Sequence, residues 1–145
     1  MNGDTELPDA MNGGSKIRAS IGPARLAGAL RYSIAGFRHA ARQEAAFQQE
    51  LLLTLILLPA AVALPVPVLE RLMLVLSMLF VMAVELLNTA IESTVDRISA
   101  ERHPLAGQAK DMGSAAVFIA VAMSLACWAV IAGPVIGAWL ASASR

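Results

Sequence analysis

Residues 112–132 contain no charged side chain and form a run long enough to cross the hydrocarbon core of a bilayer as a helix. Residues 45–64, which are apolar after their first turns, and residues 68–97, which carry no charge from Leu72 to Val84, have a similar character. Charged residues make up only 15% of the chain, against about 25% in ordinary soluble domains. We therefore predict an all-α integral membrane protein with three transmembrane helices.

The segment before the first span, residues 24–43, has the periodicity of an amphipathic helix. At about 100° per residue one face carries only apolar side chains, with arginines beside it. The apolar face consists of Leu26, Leu30, Ile34, Phe37 and Ala41, and the arginines are Arg31, Arg38 and Arg42. This pattern predicts a helix lying in the headgroup region of an anionic leaflet. Residues 1–20 read as a flexible polar tail, and residues 21–142 as a single membrane domain.

The basic residues are distributed unevenly between the two ends of the predicted spans. Most lysines and arginines fall on the side of the N-terminal helix and the 97–110 connection, whereas Arg71 and Arg145 fall on the other. The positive-inside rule then places the N-terminus in the cytoplasm and the C-terminus outside. The formal net charge is +0, so no overall attraction to nucleic acid is expected.

The second span carries a polar stripe. Glu85, Asn88, Glu92 and Asp96 follow each other at helical spacing and share an arc of about 80° on one face. Ionisable residues at membrane depth are costly, so they point to a functional site.

Three interpretations of the stripe compete. The polar residues could bridge helices in a bundle, they could line an ion or proton pathway, or they could bind a divalent metal with a nucleotide. Mg²⁺ prefers one or two carboxylates together with substrate phosphates. Glu44 and Glu50, at the start of the first span, could approach Glu85. Lys110 lies where the third span is expected to begin, where a lysine and free helical N–H groups can receive phosphate oxygens. These segments favour the third interpretation.

Three segments together resemble the small bacterial membrane diacylglycerol kinases. They are residues 44–50 (EAAFQQE), 84–97 (VELLNTAIESTVDR) and 109–116 (AKDMGSAA). The resemblance extends from about Arg25 to the end of the third span. The first segment is closer to diacylglycerol kinases than to the related undecaprenol kinases, which stay the alternative. A small transport or proton-relay protein is the alternative from another class.

The resemblance implies a homotrimer of three-span subunits with an N-terminal surface helix, in the bacterial inner membrane, with sites shared between protomers. It implies an enzyme of phospholipid metabolism that transfers the γ-phosphoryl group of MgATP to diacylglycerol, giving phosphatidic acid. Mg²⁺ would be the cofactor.

The same resemblance implies the roles of individual residues. Glu85 would be the general base, Glu44 and Glu92 would hold the metal, and Asn88 and Asp96 would support this centre. The nucleotide would be contacted by Glu44 and Glu92 and by Arg25, Tyr32, Glu101, Arg102, His103, Lys110 and Asp111. The lipid would be contacted by Arg25, Glu50, Glu85 and Ser114.

Overall fold

The computed structural model describes residues 23–98 and 103–144, and these form four helices with short connections. Helix α1 spans Pro23–Gln43, α2 spans Ala45–Ala63, α3 spans Val68–Ile98 and α4 spans Pro104–Ala143. Residues 1–20, predicted to be a tail, lie outside the described part. Helices α2, α3 and α4 are each long and apolar enough to cross a membrane, which confirms the predicted all-α membrane fold.

Helix boundaries follow local chain chemistry. Glu44 adopts an extended conformation that separates α1 from α2. Two prolines, Pro65 and Pro67, lie in the connection after α2, where they disfavour a continuous helix. Helix α4 begins with Pro104 in its first turn, and the His103 side chain accepts a hydrogen bond from the Leu105 amide at 3.2 Å. A proline in the first turn after a capping side chain is a favoured helix start.

The third span differs from its prediction. It was expected at residues 112–132, preceded by a polar connection and closed by Gly133 and Pro134, but the helix has 40 residues and continues through Pro134. The helix therefore extends beyond the predicted span at both ends, because polar residues such as Lys110 can continue a helix beyond the bilayer. A proline is tolerated inside a membrane helix because neighbouring groups and local adjustments of the helix satisfy the backbone groups that the proline leaves unpaired.

Helix α3 is the central element and packs against both α2 and α4. One apolar cluster joins the three helices towards the α2–α3 connection, with Leu74 fully buried at its centre. A second cluster surrounds the fully buried Phe47, whose ring meets Phe37 edge-on with centroids 5.2 Å apart. The side chains of Ser124 and Ser77 are hydrogen-bonded at 3.2 Å between α4 and α3. The third span carries a stripe of small residues at helical spacing, which predicts the close approach of another helix. The stripe consists of Gly113, Ala116, Ala120, Ser124 and Cys127, and Ser124 faces α3.

The chain divides into two compact units, residues 1–35 and 36–145. The described part of the first unit is helical and exposes the apolar side chains of Leu26, Leu30 and Ile34. The second unit contains α2, α3 and α4.

Candidate active site

The polar stripe of α3 passes from buried to exposed along the helix. Glu85 and Asn88 are buried, with exposed fractions of 5% and 8%. Glu92 is half-buried and Asp96 is exposed. The stripe therefore begins inside the helical bundle and ends at its surface, which suits a site that must meet both an apolar and a water-soluble molecule.

The amide of Asn88 connects the stripe internally. Its Nδ2 donates a hydrogen bond to Oε1 of Glu92 at 3.2 Å. Its Oδ1 is buried and has no hydrogen-bond partner among the described residues. An amide that donates to a carboxylate limits the orientations that the carboxylate can adopt.

Helix α2 brings further acidic groups to the same place. The carboxylates of Glu44 and Glu92 are close enough to Glu85 for like charges to act on it, and Glu85 acts in the same way on Glu50. Glu44, Glu50 and Glu92 therefore each lie within electrostatic range of Glu85. Like charges in partly buried positions repel strongly, and a cation would relieve that repulsion.

The donor set fits a magnesium ion that is bound together with a nucleotide. Within residues 23–98 and 103–144, no three histidine, cysteine, aspartate or glutamate side chains are arranged to hold a metal ion by themselves. Mg²⁺ sites of kinases use one or two carboxylates and complete their coordination with phosphate oxygens and water. Glu44 and Glu92 could supply such carboxylates, and the amide of Asn88 donates a hydrogen bond to the second.

The start of α4 supplies a positive charge beside the exposed end of the stripe. Nζ of Lys110 lies 2.6 Å from Oδ1 of Asp96, with side-chain exposures of 37% and 66%. Asp111 and Ser114 are exposed on the same helix. The His103 imidazole accepts the Leu105 amide hydrogen bond at the helix start, so part of its hydrogen-bonding capacity is already used.

A cleft of about 210 Å³ lies between α2, α3 and α4. Its walls are mostly apolar, and Glu50, Thr54, Ser124 and Trp128 contribute its polar groups. Oε2 of Glu50 and Nε1 of Trp128 are buried without a hydrogen-bond partner in the described part of the chain. Ser114 does not line this cleft.

Four other predicted nucleotide contacts belong to the first unit or to residues that the structure does not describe. Arg25 and Tyr32 belong to the first unit, where both are exposed and the Tyr32 hydroxyl accepts a 3.5 Å hydrogen bond from Arg31. Glu101 and Arg102 lie outside the described residues.

Comparison with known proteins identifies the family. Residues 31–132 match the family described as prokaryotic diacylglycerol kinase. The chain belongs to that family. It is 49% identical over 117 residues to the diacylglycerol kinase of Pseudomonas aeruginosa, covering 81% of this chain and 95% of the relative. It is 46% identical to the diacylglycerol kinase of Escherichia coli strain K12, covering 77% of this chain and 92% of the relative. Membership confirms the family and the enzyme class predicted from the sequence.

For this diacylglycerol kinase family member, sequence reasoning missed several contacts around the site. The lining of the cleft by Thr54 and Trp128 had no signal in the linear pattern, because both residues follow ordinary helical spacing within apolar segments. Gly113 was recognised only as one member of a small-residue stripe, although it packs directly on Asn88.

Proposed function

We propose that this protein transfers the γ-phosphoryl group of MgATP to the free hydroxyl of diacylglycerol, giving phosphatidic acid and ADP in phospholipid metabolism. The observation that carries the proposal is that Glu44, Glu50 and Glu92 lie within electrostatic range of the buried Glu85, in a chain of this family. Relatives that cover most of the chain bear the name diacylglycerol kinase.

Glu85 acts as the general base. Its carboxylate accepts the proton of the lipid hydroxyl while the hydroxyl oxygen bonds to the γ-phosphorus. The bond between the γ-phosphorus and the bridging oxygen breaks, and ADP leaves with that electron pair. A buried carboxylate suits this role because it is shielded from competing water, and phosphoryl transfer depends mainly on alignment and charge neutralisation.

Glu44 and Glu92 would hold Mg²⁺, which would neutralise charge on the nucleotide phosphates when bound. Asn88 orients the Glu92 carboxylate through the 3.2 Å hydrogen bond. Lys110 contributes further positive charge, and Asp96 supports the centre by holding that lysine.

The remaining nucleotide contacts are assigned by family resemblance. They comprise Arg25, Tyr32 and Asp111 together with the Glu101–His103 segment. The lipid is held by Arg25, Glu50, Glu85 and Ser114. The apolar cleft beside Glu50 has the chemistry needed for the part of the lipid next to its hydroxyl.

The active site faces the cytoplasm in the inner membrane of a bacterium, with the C-terminus outside, since ATP comes from the cytoplasm. The protein assembles as a homotrimer in which protomers share sites. Many large apolar side chains of the single chain are exposed, and contacts with neighbouring protomers and with lipid would bury them.

The test is phosphate transfer from labelled ATP in mixed micelles, with diacylglycerol and undecaprenol offered in parallel. Glu85→Gln keeps the size of the side chain but removes the base, so we expect a loss of about 10²–10⁴-fold. Glu70→Gln is the matched control, because Glu70 lies on the same helix far from the site, and it should keep its activity.

Transfer to diacylglycerol that is lost in Glu85→Gln supports both the reaction and its base. A preference for undecaprenol would keep the chemistry and overturn the acceptor. Absence of transfer to either lipid, from folded protein in micelles, would overturn the kinase proposal and favour a transport or structural role for the acidic residues.

A further inference from the structure

Gly113 of α4 lies directly against the Asn88 side chain of α3. A β-carbon built at position 113 would collide with Oδ1 of Asn88, and it would lie 3.3 Å from Cγ and 3.9 Å from Cα of the same residue. The three nearest atoms that such a β-carbon would meet all belong to Asn88. The glycine is itself buried. Position 113 is therefore a specific contact with one amide rather than a general point of helix packing.

Other glycines of the same helix differ in this respect. A β-carbon at Gly107, Gly133 or Gly137 would meet nothing within 4 Å. Among the glycines in the described part of α4, Gly113 is thus the one at which an added β-carbon would meet another side chain.

The Asn88 amide cannot make room for a side chain at position 113 without changing other contacts of the site. The residue is 8% exposed, and its Nδ2 is engaged with Glu92 at 3.2 Å. If the amide turned away, the hydrogen bond to Glu92 would be lost or reoriented. If the helices moved apart, the whole α3–α4 contact would shift. Both responses alter the carboxylate that the proposed function assigns to the metal.

We propose that Gly113 is a positioning residue, which seats the Asn88 amide so that Nδ2 holds Glu92 in the orientation required for metal binding. The inference rests on the proposed function for the role of Glu92, but the contact itself is independent of that role. Gly113 contacts neither the nucleotide nor the lipid and acts only through Asn88.

The test compares Gly113→Ala with Gly137→Ala, which adds the same methyl group to the same helix in open space. Asn88→Ala and the Gly113→Ala/Asn88→Ala double variant complete a double-mutant cycle, which measures the effect of Gly113→Ala with and without the Asn88 amide. Three properties are measured in detergent micelles: the Tm, the affinity for Mn²⁺ by electron paramagnetic resonance with a non-hydrolysable ATP analogue, and the Mg²⁺ concentration that half-saturates the activity.

Gly113→Ala should weaken Mn²⁺ binding and raise the half-saturating Mg²⁺ concentration by about tenfold or more, as loss of a hydrogen bond behind a metal ligand commonly does. Gly137→Ala should match the parent in both. In the Asn88→Ala background the added methyl group meets no amide, so Gly113→Ala should change neither metal affinity nor Tm further. If Gly113→Ala fails to fold, recovery of folding in the double variant would support the contact between Gly113 and Asn88. Weak Mn²⁺ binding by Asn88→Ala would then support the role of the Asn88 amide in holding Glu92.

Unaltered metal affinity in folded Gly113→Ala would overturn the inference, even if its maximal rate fell, because a merely structural defect lowers the active fraction. An equal loss of Tm with and without Asn88 would also overturn it. Failure of the proposed kinase reaction is separate, since it would show as absent transfer in the parent and in Gly137→Ala, while the Tm cycle would still report the contact.

Discussion

Individual polar residues of the site fall into two environments. Asn88 and Glu92 interact where the stripe is largely buried, so the orientation of each side chain is restricted by its neighbours. Lys110 and Asp96 form an ion pair with exposures of 37% and 66%, where water screens the attraction and stability gains little. The pair formed by buried Asn88 and half-buried Glu92 is suited to fixed geometry. The exposed pair is suited to exchanging a partner when a phosphate binds.

Lys110→Met should therefore affect the nucleotide more than the fold. We expect the KM for ATP to rise by about tenfold or more, because a charge-assisted contact with phosphate is lost. Steady-state kinetics at saturating lipid measure this, and thermal unfolding in micelles should stay close to that of the parent. Lys110→Arg is the control that keeps the charge. An unchanged KM for ATP together with a lowered Tm would assign the lysine to structure instead.

The linear sequence was sufficient for residues that share a face of one helix. The spacing of Glu85, Asn88, Glu92 and Asp96 fixes their common side through helical geometry alone. It was insufficient for contacts between helices, such as Lys110 with Asp96 or Gly113 on Asn88. Those depend on the rotation and axial stagger of two helices, which packing determines and spacing within one helix does not.

At the scale of whole elements, the α2–α3 connection is held by a side chain from the following helix. Nη2 of Arg71 donates to the carbonyl oxygens of Leu64 and Val66 at 3.1 and 3.4 Å. These carbonyls lie where α2 has ended and lack the helical partners of residues inside a helix. The carbonyl oxygen of Leu64 also accepts a hydrogen bond from the Val66 amide at 2.9 Å. The arginine thus stabilises the turn and helps to set how α2 returns against α3.

Arg71→Met should destabilise the protein by about 1–3 kcal/mol, because two carbonyl groups lose a charged donor. Thermal unfolding in micelles measures the effect, which corresponds to a lower Tm by about 2–10 °C. Transfer activity at low temperature should persist, since Arg71 is remote from the acidic stripe in sequence and lies near the other end of α3. Arg71→Lys, with a smaller donor group, should fall between the two. A Tm equal to that of the parent would show that the connection is stable without these bonds.

The existence of each membrane helix was easier to predict than the residues at which it ends. Apolar runs fix that a segment is a membrane helix, and residues 45–64 and 68–97 were predicted to within a residue at each end. The third span was not, because Lys110 and Pro134 were interpreted as boundaries. A helix end depends on whether alternative partners for its backbone groups exist, and that depends on surroundings absent from the local sequence.

The dimensions of the whole molecule connect the site to its two substrates. At about 1.5 Å per residue, α3 is about 46 Å long and α4 about 60 Å, against a hydrocarbon core of about 30 Å. Both helices can therefore extend beyond the core. The acidic stripe lies in the C-terminal half of α3 and Lys110 near the start of α4, so both occupy the end of the bundle at the 99–102 connection. The positive-inside rule predicts that this end faces the cytoplasm.

Orientation in the membrane is consequently a condition for the reaction. ATP is available only in the cytoplasm, so the start of α4 should lie there and its end outside.

The chain has a single cysteine, Cys127, and Cys127→Ala gives a background for one introduced thiol at a time. In intact spheroplasts, a membrane-impermeant maleimide should label Ser142→Cys, whereas Gln108→Cys should react only after permeabilisation. Both positions are exposed in the folded chain, so labelling reports the side of the membrane rather than burial. The reverse pattern, in variants that retain transfer activity in micelles, would place Glu85 and Lys110 away from ATP. That result would contradict the proposed orientation, although the chemistry of the site would stand.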